Sequence, residues 1–88
     1  MAISLQNTVY PRKDEYWRVV ERTLDNVFNG NPADARRLRQ EIDTLSDDEQ
    51  LIFYHAEPLD VAADLADVTP SSTQVQQYDA LAQNLGWI

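Results

Sequence analysis

The chain has 88 residues, of which 43% are hydrophobic and 25% charged, with 15 acidic residues, seven basic residues and no cysteine. This composition predicts one small globular domain, and the absence of cysteine excludes disulfides, zinc–thiolate sites, iron–sulfur clusters and cysteine nucleophiles. The net charge of −8 argues against direct binding to nucleic-acid phosphates or to an anionic membrane.

The charge is divided between the two halves of the chain. Residues 1–39 contain all seven basic residues and five acids, a net charge of +2, whereas residues 40–88 contain ten acids and no Lys or Arg, a net charge of −10. One interpretation is a salt-bridged surface followed by a solvated acidic face, because charge runs usually reflect solubility. The other is that the acidic half binds a partner of opposite charge.

The first ten residues alternate weakly at Ile3, Leu5 and Val9, which predicts an extended arm rather than a helix. They contain neither the basic nor the apolar region of a signal peptide, and no run approaches the roughly 18 apolar residues of a membrane span. We therefore expect a cytoplasmic protein with an extended N-terminal arm over residues 1–10 and a helical domain over residues 11–88.

Two helices are predicted next, over residues 11–29 and from residue 32. The apolar residues of the first helix recur at steps of three and four and are Tyr16, Trp17, Val20, Leu24, Val27 and Phe28. Gly30 is the expected left-handed terminator, and Asn31 followed by Pro32 predicts the cap and first turn of the second helix. The short link predicts an antiparallel hairpin. The inward stripe of the second helix is Ala35, Leu38, Ile42 and Leu45.

A third and a fourth helix are predicted on either side of Pro58. Ser46 and Glu49 have the spacing of a capping box and mark the start of the third helix. Pro58 disfavours helix at Glu57, so we expect a break there and a short fourth helix, with a kinked continuous helix as the alternative. The predicted inner face of the fourth helix is Leu59, Ala62, Ala63 and Ala66. Its outer, acidic face is Glu57, Asp60, Asp64 and Asp67.

A fifth helix follows, with a cap at Thr69 or Ser72 and an end near residue 85. Its inward residues are predicted to be Val75, Tyr78, Leu81, Ala82 and Leu85. Gly86 is the expected left-handed residue after the helix, and Trp87 is expected to fold back onto Leu81 or Ala82. The predicted fold class is therefore all-α, a single compact domain of four to five short helices in a bundle or orthogonal array.

Few side chains point to chemistry. His55 is the single histidine and has no recognisable metal-ligand spacing around it. Asp60 and Asp64 are close in sequence, but acid–base catalysis needs one carboxyl in an apolar pocket, and both are predicted to face solvent. The two glycines fall at helix ends, so no phosphate-binding loop is predicted. We expect no enzyme activity, no cofactor and no metal.

The basic cluster of Arg36, Arg37 and Arg39 is a poor nucleic-acid site. It has no interleaved aromatic residues, and the acidic half of the chain would repel a phosphate backbone. We therefore expect no direct binding to nucleic acid.

The remaining candidates are protein-binding surfaces. Phe53 and Tyr54 follow two further apolar residues, so the third helix is either central in the domain or presents an aromatic side chain as an interface anchor. The predicted partner-binding residues are Glu57, Asp60, Asp64, Asp67, Phe53, Tyr54 and His55.

The size, charge and helical build are similar to those of the small acidic immunity proteins that neutralise nuclease toxins. Residues 51–54 resemble the apolar–aromatic–tyrosine binding helix of that family, over about five residues. This chain departs from the family pattern, because His55 stands where the family has a proline, Pro58 comes later, and a further helix follows. The resemblance implies inhibition of a basic enzyme, and we do not assign the chain to the family on it.

Three functions are therefore kept open. The first is an inhibitor or adaptor that binds a basic protein through the acidic face. The second is a homodimeric assembly protein, in which the oppositely charged halves pair and the arm is exchanged between subunits. The third is a small-ligand or metal site near His55.

Overall fold

A computed structural model of the chain describes residues 12–88, so the predicted arm over residues 1–10 and Pro11 lie outside the described residues. Five helices follow in order: α1 (Lys13–Asn26), α2 (Pro32–Ile42), α3 (Asp47–Phe53), α4 (Pro58–Ala66) and α5 (Ser72–Asn84). No strand occurs in residues 12–88, and the predicted all-α class is confirmed. Glu57 has an extended backbone, so α3 and α4 are separate helices. Within the same residues, no helix is long and apolar enough to cross a bilayer.

The central helix is α1, which packs most extensively against α4 and α2 and also contacts α5. Its buried residues are Tyr16, Trp17, Val19, Val20, Thr23 and Leu24. They span an arc of about 160° at 100° per residue, a wide buried face that contacts three other helices. Helices α1 and α2 run antiparallel, since Arg36 pairs with Glu21 while Arg39 pairs with Asp14, nearer the start of α1.

An aromatic cluster fixes α3 to α1 through the C-terminal end of α3. The ring of Trp17 stacks on Phe53 with 5.6 Å between centroids, and Tyr16 meets Tyr54 edge-on at 5.0 Å. Trp17 Nε1 donates a hydrogen bond to Tyr54 Oη at 2.9 Å, and Tyr16 Oη donates to the Ala56 carbonyl at 2.8 Å. The aromatic side chains of α3 therefore face the core, and α3 is not central as one interpretation of the sequence required.

Three helix starts carry side-chain caps. Asn31 accepts a hydrogen bond from the Ala33 amide, as predicted, and Ser46 forms the predicted capping box with Glu49. The predicted cap of α5 at Thr69 or Ser72 is wrong, because Ser71 forms the capping box there, with Gln74. A glutamine three residues after a serine gives the same reciprocal pair of hydrogen bonds as a glutamate.

The turn after α1 differs from the prediction. Asn29, not Gly30, is left-handed, with φ of 56°. Gly30 is needed for a different reason: a Cβ atom there would lie 2.5 Å from Leu24 Cδ1, and the Gly30 amide donates to the Leu24 carbonyl at 2.7 Å. The glycine therefore permits a close approach of the chain to the buried end of α1.

The end of α5 is as predicted. Gly86 has φ of 77°, and the Trp87 amide donates to the Ala82 carbonyl at 2.8 Å, which is the six-to-one bond of a Schellman motif. Trp87 packs against the cluster that contains Ala82, and the guanidinium of Arg12 lies 4.3 Å from its ring centroid.

Several predicted core positions shift to the edge of the core. Leu45 lies beyond the end of α2 and is exposed, and Val75 is exposed on α5. On α4 the fully buried apolar set includes Val61, which the sequence stripe omitted, whereas Leu59 is half-buried. The exposure of Leu45 and Val75 and the burial of Val61 depend on where the neighbouring helices lie, which the hydrophobic period of one helix does not specify.

Candidate interaction surfaces

The first candidate surface is the predicted acidic face of α4. All four of its carboxylates are exposed, and none forms an ion pair with a basic side chain of residues 12–88. Glu57 accepts a hydrogen bond from Tyr78 Oη at 3.2 Å, and Asp67 is left-handed at the end of α4, with φ of 59°. We call these residues the α4 acidic face: Glu57, Asp60, Asp64 and Asp67.

A shallow depression lies at the C-terminal end of this face. It has a volume of about 270 Å³ and is lined by Ala63, Asp64, Asp67, Val68 and Thr69. Two of its lining residues are carboxylates, but within residues 12–88 no group of three or more His, Asp or Glu side chains is placed to hold a metal ion. The depression is therefore an open, acidic end of the α4 acidic face and not an enclosed binding site.

The apolar part of the candidate surface differs from the aromatic residues singled out in the sequence. Tyr54 is only 6% exposed, Phe53 is half-buried, and His55 is exposed. The outward apolar side chains of α3 are instead Leu51 and Ile52, exposed to 41% and 72%. We call these two residues the α3 apolar pair.

The helical spacing of α3 indicates from the sequence that this pair faces solvent. Asp47 and Asp48, in the solvated first turn of α3, lie four residues before Leu51 and Ile52 and so share their side of the helix. Phe53 and Tyr54 were the predicted anchors because exposed aromatic side chains carry much of the binding energy of an interface, whereas the acidic first turn indicates Leu51 and Ile52.

A second candidate surface was missed in the sequence: a groove of about 450 Å³ on α1 and α2. It is lined by Asp14, Trp17, Arg18, Glu21, Arg22 and Arg39, and we call it the arginine groove. Sequence reasoning considered Arg36, Arg37 and Arg39 together, but the fold separates their roles. Arg37 pairs with Asp34 on its own helix, whereas Arg36 and Arg39 reach across to α1.

The carboxylates of the groove are already engaged. Arg39 approaches Asp14 at 2.6 Å, and this hydrogen bond, together with the charge of the guanidinium, holds the pKa of Asp14 below its usual range. Arg36 lies 3.0 Å from Glu21. Arg18 and Arg22 are exposed, and neither forms an ion pair within residues 12–88. The groove therefore presents two guanidiniums that form no ion pair within residues 12–88, although Arg18 lies close enough to Asp14 and Glu15 to interact with their charges.

Three buried polar side chains, Tyr78, Thr23 and Gln50, lie outside the candidate surfaces. Burial and the nearby Glu57 carboxylate raise the pKa of Tyr78 above its ordinary value. Thr23 Oγ1 and Gln50 Oε1 are buried and have no hydrogen-bond partner within residues 12–88, and neither residue lines one of the concave surfaces described above.

Comparisons of the chain with known protein families, with curated proteins and with solved structures find no match. The function is therefore argued from these surfaces alone.

Proposed function

We propose that the chain is a non-catalytic interaction module that binds a basic protein, as an inhibitor or adaptor, through the α4 acidic face and the α3 apolar pair. One observation carries the proposal: the α4 acidic face, whose exposed carboxylates have no basic partner within residues 12–88, begins five residues after Ile52, the most exposed large apolar side chain of the same residues. The proposal includes a cytoplasmic location, which cell fractionation would test.

The two parts of the surface have different physical roles. Unneutralised carboxylates attract a cationic partner over distances of about a Debye length and increase the rate of association. Burying an exposed isoleucine in an apolar pocket contributes roughly 1.5–3 kcal/mol and slows dissociation. A partner that fits has an apolar pocket bordered by Lys and Arg, as in an enzyme that normally binds phosphates.

Charge variants test which surface binds. We expect tagged wild-type protein to capture basic proteins from a lysate of the source cells, and D60N/D64N/D67N to lose them. Asparagine is chosen at position 67 because it tolerates the left-handed backbone there. The matched control is D25N/E41Q/D79N, which removes the same charge from exposed positions on other helices. Equal capture by the two triple variants would overturn the proposal.

Purified partner then separates the two roles. By surface plasmon resonance, D60N/D64N/D67N should lower the association rate, and raised salt should reduce that difference. Ile52→Ala should raise the dissociation rate with little change in association, and it should leave the fold intact because the side chain is mostly outside the core. A dissociation rate unchanged by Ile52→Ala would remove the α3 apolar pair from the interface.

A further inference from the structure

We propose that the arginine groove binds helix α4 of a second copy of this chain, with Arg18 and Arg22 facing Asp60 and Asp64. This inference goes beyond the proposed function and does not rest on it, because it assigns a role to a surface of opposite charge. It uses two acids of the α4 acidic face, so the two kinds of binding exclude one another.

The first support is that Arg18 and Arg22 form no ion pair within residues 12–88. The two groove acids are paired with Arg39 and Arg36, and Asp25, three residues after Arg22, forms no ion pair with it. Residues 1–11 contain no Asp or Glu, so the arm has no side-chain carboxylate to offer. Two arginines four residues apart on one helix repel each other and weaken α1 slightly, so binding carboxylates between them would stabilise the helix. The chain has carboxylates in excess, with 15 acidic and seven basic residues.

The second support is matched spacing. Arg18 and Arg22 are four residues apart on α1, and Asp60 and Asp64 are four residues apart on α4. Four residues of helix rise about 6 Å, so two guanidiniums and two carboxylates can meet at the same separation. Neither aspartate forms an ion pair within residues 12–88, and both are exposed. The groove therefore supplies two guanidiniums, and α4 of the second copy supplies two carboxylates at the same spacing.

The mixed charges that line the groove favour a helix with separate carboxylates over a small anion. Asp14 and Glu21 line it together with the arginines, so a compact multivalent anion such as phosphate would meet two carboxylates as well. Two separate carboxylates on a helix can reach the guanidiniums individually and form bidentate pairs. Every copy carries one groove and one α4 acidic face, and the proposed arrangement is a closed two-fold dimer in which the contact is made twice.

Sedimentation velocity at two salt concentrations tests the association. We expect a dimer of wild-type protein at about 20 mM NaCl and monomer at about 500 mM, where charges are screened within a few ångströms. R18E/R22E and D60K/D64K should each be monomeric at low salt, with dissociation constants raised at least about tenfold. The control K13E/R37E makes the same charge change on α1 and α2 outside the groove and should still dimerise.

Mixing the two reversed variants tests the pairing itself. In an equimolar mixture of R18E/R22E and D60K/D64K, the reversed groove faces the reversed α4 and the native groove faces the native α4. Both contacts of the heterodimer are then complementary, and we expect a heterodimer although neither variant dimerises alone. A wild-type monomer at every salt concentration would overturn the inference, as would a mixture that stays monomeric while both variants keep the wild-type circular dichroism spectrum and melting temperature. Saturable binding of inorganic phosphate at Arg18 and Arg22 in a monomer, seen by NMR, would also overturn it. Capture of a basic protein is measured separately, so failure of one proposal is distinguishable from failure of the other.

Discussion

At the scale of single residues, a buried hydrogen bond decides which side of α3 is available for binding. Tyr54 accepts from the Trp17 indole at 2.9 Å, and both side chains lie in the aromatic cluster. A phenol that satisfies a buried N–H group gains both apolar burial and a polar partner inside the fold. The inward position of Tyr54 therefore leaves the aliphatic residues Leu51 and Ile52 outside.

Removing this hydroxyl should be costly. Tyr54→Phe leaves the Trp17 N–H buried without its acceptor, and we expect a loss of about 1–3 kcal/mol in the free energy of unfolding by urea. Tyr16→Phe is the comparison, because its acceptor, the carbonyl of half-buried Ala56, can turn to water. It should cost less than Tyr54→Phe. Equal losses for the two variants would contradict the assigned hydrogen bond.

The raised pKa of Tyr78 gives a prediction at alkaline pH. A phenol whose pKa is raised by burial, and secondarily by Glu57, stabilises the fold fully below its unfolded pKa of about 10 and loses that contribution as the pH rises above it. The free energy of unfolding should fall by up to about 1.4 kcal/mol per pH unit from this group. Tyr78→Phe should show a shallower decline between about pH 10 and 11, measured by urea unfolding at each pH. Parallel curves for the two proteins would contradict the assignment.

At the scale of elements, local chemistry explains most helix boundaries. Caps at Asn31 and Ser46, the break before Pro58 and the left-handed Gly86 follow from side-chain hydrogen bonds and backbone sterics within a few residues, so the sequence predicts them. The outward side of α3 was misjudged because aromatic residues suit both a core and an interface.

The arginine groove could not be predicted for a related reason. The charge that the groove presents depends on which arginines form ion pairs with acids of the neighbouring helix. Such pairs are distant in sequence, since Asp14 and Arg39 are 25 residues apart in the chain. Helical spacing alone offers Arg39 a partner on its own helix at Asp43, which lies 4.0 Å away, whereas the fold places the carboxylate of Asp14 on α1 closer, at 2.6 Å. Tertiary placement therefore decides which charges remain unpaired.

The turn between α1 and α2 gives a prediction at this scale. Gly30→Ala places a Cβ against Leu24, which is fully buried and has little room to move, and we expect a loss of about 1–3 kcal/mol in unfolding free energy. Asn29→Gly relieves the left-handed conformation and should be neutral or slightly stabilising. Urea unfolding of both variants checks the assignment. A Gly30→Ala protein of wild-type stability would show that the turn has room for a side chain.

At the scale of the whole molecule, the fold places every described basic side chain at Arg12 or on α1 and α2, together with acids, and leaves α3 to α5 with acids alone. Basic residues lie at Arg12 and on α1 and α2, where ion pairs engage part of them, and the ten acids after residue 40 lie on α2 to α5 and their connections. Of those ten, Asp43 alone forms an ion pair within residues 12–88. The net charge of −8 is thus the sum of a part with mixed charges, +2 over residues 1–39, and an acidic part, −10 over residues 40–88.

Competition between the two proposed partners of α4 gives the final prediction. If a second copy covers Asp60 and Asp64, a cationic ligand must displace it, so a lysine decapeptide should bind wild-type protein more weakly as protein concentration rises. R18E/R22E cannot dimerise through the groove, so its affinity for the decapeptide should not depend on protein concentration. K13E/R37E makes the same change in net charge but keeps the groove, and it should behave like the wild type. Calorimetric titrations at two protein concentrations, at low salt, measure the effect. Concentration-dependent affinity in R18E/R22E, or its absence in both wild type and K13E/R37E, would show that the groove and the basic ligand do not compete for the same carboxylates.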